Sequence, residues 1–134
     1  MNISFSEIAD NMNQHNVCVI VPTYNNHKTL KRVLDSVLQY TSNIIVVNDG
    51  STDSTTQILE MYPNLEQVHH SKNAGKGTAL RNGFKKALEL NYDYAITIDS
   101  DGQHFASDIP TFIQSLETNG DELLIGCRNM TQEN

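Results

Sequence analysis

The sequence predicts an α/β domain, a mostly parallel sheet with helices on both faces. Three observations predict it. Short β-branched apolar runs alternate with segments of helical period through the whole chain. The best runs are apolar without interruption, as strands covered on both faces are. Polar and glycine residues gather just after each run.

The elements follow in order. Val17 to Val21 is a continuous apolar run ended by Pro22, the first strand. Leu30, Val33, Leu34, Val37 and Leu38 repeat at helical spacing, one apolar face. Ile44 to Val47 is a second buried strand. Ser51, Thr52 or Asp53 can cap a short helix carrying Ile58 and Leu59, which Pro63 and Asn64 terminate. Leu65 to His70 is a weaker strand. Leu80, Phe84, Ala87 and Leu88 give a third helix face, and Tyr94 to Ile98 a fourth strand. Ser107 or Asp108 caps a helix with Pro110 in its first turn and Gly120 at its end. Leu123 to Cys127 is the fifth strand. Residues 1–16 read as an N-terminal arm, either a surface helix or partly ordered, 17–128 as the domain and 129–134 as a tail.

Composition narrows the class. The chain has 134 residues, 38% of them apolar, enough for one core but small for a two-substrate enzyme. Sixteen acids against nine Lys and Arg leave a net charge of −7, without a basic stripe to meet phosphate backbones, so nucleic acid is not expected as a partner. Cys18 and Cys127 lie far apart in apolar runs and read as small buried hydrophobes of a reducing compartment. No apolar run reaches the roughly 18 residues of a membrane span, and the first sixteen residues lack a signal's apolar stretch. A cytoplasmic domain is expected.

In parallel sheets ligands bind beyond the carboxyl ends of the strands. Those ends carry Pro22 to Asn26, Asn48 to Asp53, Ser71 to Gly77, Asp99 to His104 and, after the fifth strand, Arg128. The sharpest signal is Asp99-Ser100-Asp101. Two carboxylates at one strand end repel each other, and a divalent cation resolves that conflict. All-oxygen ligands suit Mg2+ or Mn2+. An Asp-Gly turn is the plainer alternative, and the company of three other polar loops favours a metal. Asp49 can accept from a ribose or base, while Asp53 reads as a helix cap. Gly75-Lys76-Gly77-Thr78 opens a helix and can meet an anion or a base edge, a glycine-assisted strand-to-helix turn being the plainer alternative. It is no Walker A loop, because Gly77 follows the lysine, and no dinucleotide fingerprint, because Leu80 replaces the third glycine. His69, His70 and His104 lack metal-ligand spacing, and the first two read as strand-end residues.

Together these residues resemble the family 2 glycosyltransferases, whose fold is called GT-A, from Val17 to Arg128. Val19-Ile-Val-Pro-Thr-Tyr-Asn25, Val46-Val-Asn-Asp-Gly-Ser-Thr-Asp53, Asn73-Ala-Gly-Lys-Gly-Thr-Ala-Leu-Arg-Asn-Gly83 and Asp99-Ser-Asp-Gly-Gln-His104 are similar to four family motifs in the right order. The last, with Ile125-Gly-Cys-Arg128, is most similar to the dolichyl-phosphate mannosyltransferase branch. The resemblance implies the Rossmann-like, nucleotide-binding half of that fold and a UDP- or GDP-sugar donor. It implies donor contacts from Pro22, Thr23, Tyr24, Asn25, Asp49, Lys76, Asp99, Ser100 and Arg128. It implies Mn2+ or Mg2+ on Asp99, Asp101 and Gln103, and inverting transfer to a glycan or lipid phosphate. It also implies peripheral membrane contact by a full-length enzyme at the cytoplasmic face. Asn26 departs from the Glu common in that branch. The family's acceptor half, general base and Gln-x-x-Arg-Trp motif are expected beyond Asn134, and the chain has no Trp.

Two alternatives stand beside this one. A non-catalytic nucleotide-sugar-binding fragment would keep the same site. A sugar-phosphate nucleotidyltransferase would need a glycine-rich basic loop after the first strand, where Pro22 to Asn26 stands. A phosphatase using Asp-x-Asp usually has Thr or Val where Gln103 stands.

Overall fold

A computed structural model describes residues 4–101, 106, 109–119 and 127–129, with side chains described up to 114. The elements are α1 (Phe5–Gln14), β1 (Val17–Thr23), α2 (Leu30–Leu38), β2 (Ile44–Asn48), α3 (Thr55–Leu59), β3 (Glu66–His69), α4 (Lys76–Glu89), β4 (Tyr94–Thr97), α5 (Ile109–Asn119) and β5 (Cys127–Asn129). The sheet order is β3-β2-β1-β4-β5. The first four strands run parallel, and β5 pairs antiparallel with β4. The chain moves outward from β1 through β2 to β3. It then returns to the other side of β1 as β4, so a topological switch point lies between β1 and β4.

All seven residues of β1 and all five of β2 are buried, which is why both are β-branched almost throughout. Alternation splits β1 between two cores. Val17, Val19 and Val21 join Leu30, Leu34, Ile109 and Ile113 from α2 and α5 on one face. Cys18 and Ile20 join Ala79 and Ala87 of α4 on the other. Cys18 is buried and outside any disulfide among the described residues, as its apolar setting predicts.

Three expectations are corrected. The N-terminal arm takes its helix alternative as α1, capped by the Ser4 hydroxyl, but the helix is no surface appendage, because Ile8 and Met12 are fully buried in the larger core. Those two apolar residues sit one helical turn apart, and this places them on one face. On α4 the expected Leu80, Phe84 and Ala87 do pack against the core, but the buried stripe is Ala79, Gly83 and Ala87, and Leu88 is exposed. The helix lies so close to the sheet that a Cβ at Gly83 would stand 2.7 Å from Ile20 Cγ2. Finally, β5 spans Cys127–Asn129, so Arg128 lies inside that strand, across from Ala95. Because β5 is antiparallel, its carboxyl end does not join those of the parallel strands. The expected strand residues 123–126 and the helix cap at Ser107 or Asp108 lie outside the described residues.

Candidate functional site

The carboxyl ends of the four parallel strands meet around one cavity of about 330 Å³. Pro22, Thr23, Tyr24 and Asn26 line it from the β1 tip, and Asp49 from the β2 tip. Asn73, Gly75, Lys76 and Ala79 come from the β3–α4 loop and the start of α4, Asp99 and Asp101 from the β4 tip. The cavity thus sits beside the switch point between β1 and β4, where the splayed chain ends leave room for a ligand.

The loops are braced before any ligand arrives. Asn25 takes a left-handed conformation (φ 53°), which Asn tolerates better than most residues. Its N–H donates to Ser51 Oγ at 3.0 Å, and its Oδ1 accepts from the Thr52 and Asp53 amides at 2.7 and 3.2 Å. Gly50 has φ 72°, and the Lys72–Asn73 backbone crosses directly over it. A Cβ there would lie 2.3 Å from the Lys72 carbonyl carbon, so only glycine fits. Asp53 accepts from the Thr55 amide at 2.8 Å and from His27 Nδ1 at 2.7 Å, the structural role its position suggests. Burial pushes the Asp53 carboxyl up, but donors from Thr55 and His27 outweigh it and bring it to about 2.

Asp49 is the most engaged acid of the site. Oδ1 accepts from His70 Nδ1 at 2.8 Å and from the Ala74 amide at 2.9 Å. Oδ2 accepts from Asn73 Nδ2 at 3.1 Å and from the Gly75 amide at 2.9 Å. Burial raises this carboxyl, yet the His70, Ala74 and Gly75 hydrogen bonds prevail and hold it below the ordinary range. Across the cavity, Lys76 Nζ lies 2.8 Å from Asp99 Oδ1. Thr23 Oγ1 is buried and, among the described residues, has no hydrogen-bond partner. An unmet buried hydroxyl costs about 1–3 kcal/mol, so a ligand that hydrogen-bonds it gains correspondingly.

The expected donor residues Pro22, Thr23, Tyr24, Asp49, Lys76 and Asp99 therefore share one cavity, and Asp101 joins them. Two others serve differently. Asn25 does not line the cavity and ties the β1 tip to the β2 tip. Ser100 is almost wholly buried, accepts from Asn26 Nδ2 at 2.6 Å and donates to the Pro22 carbonyl at 3.0 Å, while its own carbonyl accepts from Thr29. It is a staple between the β1 and β4 tips. Gln103 and the Arg128 side chain lie outside the described residues. The sequence pattern assigns no role to Asn73 or to His70. The Asn in Asn73-Ala-Gly, just before a helix, was the available signal for the first, whereas nothing local marks His70.

As a metal set, Asp99 and Asp101 offer hard carboxylate oxygens on one wall of the cavity. Among the described residues no three His, Cys, Asp or Glu gather closely enough to hold a metal. Two carboxylates beside open space fit Mg2+ or Mn2+, which take their remaining ligands from water and phosphate.

The profile of Glycosyl transferase family 2 matches residues 18–134. The chain belongs to glycosyl transferase family 2. Family relatives include a UDP-N-acetylglucosamine–dolichyl-phosphate N-acetylglucosaminyltransferase of Methanococcus voltae, 35% identical over 84% of this chain and 51% of the relative. An undecaprenyl-phosphate mannosyltransferase of Micrococcus luteus is 33% identical over 85% of this chain and 49% of its own length. The chain spans about half the length of these curated relatives. Among solved structures, S. aureus TarS in complex with UDP superposes with a TM-score of 0.59 at 30% identity, over 76% of this chain and 33% of TarS. Glucosyl-3-phosphoglycerate synthase from Mycobacterium tuberculosis, solved with Mn2+, UDP-glucose and phosphoglyceric acid, gives a TM-score of 0.69 over 92% of this chain and 47% of that one. At 22% identity this second likeness shows the GT-A fold alone.

Proposed function

We propose that this chain is the donor-binding half of a metal-dependent, inverting glycosyltransferase. Its donor is a UDP- or GDP-sugar, and its acceptor is a lipid phosphate or a glycan. The observation that carries the reading is the meeting of four parallel strand tips on one cavity lined by Thr23, Lys76, Asp99 and Asp101. The names of the family relatives, with dolichyl- and undecaprenyl-phosphate acceptors, support the lipid-phosphate choice.

In this reading Pro22, Thr23 and Tyr24 flank the nucleoside, with the half-exposed Tyr24 ring free to stack. Lys76 and the amides at the start of α4 face the anionic part of the donor. Asp99 and Asp101, with Gln103, would hold the divalent cation, which when bound supplies Lewis-acid neutralisation of the departing diphosphate. An acceptor phosphate oxygen attacks the anomeric carbon, the bond to the diphosphate oxygen breaks, and the nucleoside diphosphate leaves. Such an acceptor is already an anion, so it needs no strong general base. Among the described residues no helix is long and apolar enough to cross a membrane.

Calorimetry of UDP and GDP binding, with and without Mn2+, tests the reading. Wild type binds one of them more tightly with Mn2+, and Asp101→Ala loses that gain while staying folded. A wild-type chain that binds neither nucleotide sinks the proposal. Unchanged affinity in Asp101→Ala removes the metal assignment alone.

A further inference from the structure

We propose that His70 is a positioning residue for donor binding, acting with Asn82 to hold Asp49 and, through it, the loop that carries Asn73, Gly75 and Lys76. The inference rests on the donor-site reading above. His70 does not line the donor cavity, so any effect it has on a nucleotide is transmitted.

The argument starts from burial. The Asp49 side chain is 4% exposed, and a carboxylate so enclosed is stable only if its oxygens are met. A carboxylate has about four acceptor sites. Here four donors reach it, from His70, Ala74, Asn73 and Gly75. Its hydrogen-bonding capacity is therefore spent on protein, and its main product is the shape of residues 73–75.

Three of those four donors belong to the loop being shaped. His70 is the one tied to the sheet, because its own amide continues the β2–β3 ladder to the Asn48 carbonyl at 2.9 Å. Asp49 is anchored at the β2 tip, where its amide donates to the Thr23 carbonyl at 2.9 Å, but that leaves the rotation of its carboxyl open, and the loop's own donors turn with it. His70 is the donor outside the loop that fixes the orientation of the carboxyl.

The far side of the ring is also tied. His70 Nε2 lies 2.8 Å from Asn82 Nδ2, in the second turn of α4. Nδ1 must be the donor to Asp49, since a carboxylate only accepts. Nε2 then accepts from the Asn82 amide when the ring is neutral, or donates to its oxygen once the amide turns over. Either way the Nδ1–H bond to Asp49 is kept. The relay runs from the β2 tip through the β3 tip to α4, whose first residue is Lys76.

Two variants and two measurements test it. His70→Leu removes the donor. His70→Asn puts an amide N–H close to the former Nδ1. UDP and GDP affinity is measured calorimetrically with Mn2+, and amide hydrogen exchange is followed at Ala74 and Gly75. His70→Leu weakens nucleotide binding about tenfold, the scale seen when a group that orients a binding residue is lost. It also speeds exchange at both amides, and His70→Asn recovers most of both effects. Asn82→Ala, which leaves Asp49 and His70 in place, gives a smaller loss in the same direction and keeps the test open should His70→Leu fail to fold. Wild-type affinity in folded His70→Leu and Asn82→Ala proteins overturns the proposal. If wild type binds no nucleotide, the donor reading has failed; unchanged exchange at Ala74 and Gly75 then overturns the positioning role separately.

Discussion

On one side of the cavity the β2 and β3 tips are tied through the enclosed carboxylate of Asp49, met by two backbone amides and two side chains. On the other side, the β4 tip is stapled to β1 by Ser100, and its acid Asp99 pairs with Lys76, a side chain 62% exposed. The first side works by buried hydrogen bonds, which water cannot replace without breaking the fold. The second works through a charge that solvent and ions can compete for. In the function proposed above, the pre-shaped side is the one that meets the nucleoside, and the acidic side keeps its charge open for a cation and a diphosphate.

The comparison can be broken first at Gly50. Gly50→Ala puts a methyl 2.3 Å from the Lys72 carbonyl carbon at a φ of 72°. Strain and overpacking together cost about 3 kcal/mol. Urea unfolding measures it, and a loss under about 0.5 kcal/mol, the usual scatter of surface changes, refutes the tight crossing of the two loops.

Asp53 sharpens the same side with a smaller effect. Its folded carboxyl, lowered to about 2, makes a contribution present above the unfolded value near 4 and lost as pH falls towards 2. The loss is on the order of 2 kcal/mol. Thermal midpoints recorded from pH 5 to pH 2 show it, and Asp53→Asn flattens the profile in that window. Equal slopes in both proteins count against the bracing role.

Lys76→Met gives the smallest change in stability, within about 0.5 kcal/mol, because exposed ion pairs contribute little. Its nucleotide affinity falls all the same, which calorimetry reads in the same protein. A large fall in the melting point would mean that the acidic side is braced like the other.

Much of this was legible in the chain. The unbroken run Val17 to Val21 demanded a strand covered twice, and α2 announced itself by Leu30, Val33, Leu34 and Val37. The tips could be named because ligands collect beyond parallel strand ends. What escaped were contacts between distant positions. Asp49 and His70 are 21 residues apart, Asn26 and Ser100 are 74 apart, and no local pattern pairs them. The direction of β5 escaped for a related reason, since β-propensity is the same whichever way a strand runs. Gly83, the last residue of the third motif, is the point where α4 rests on Ile20, and nothing in the local pattern says so.

The order of residues determined which segments bury themselves and which polar tips end the strands, because hydrophobic period and turn chemistry are local properties. Only the folded chain decided which of those tips would meet a ligand and which would hold another tip. Asn25 and Ser100 differ from their cavity-lining neighbours in where they point and whom they reach, and both are settled by packing across the sheet.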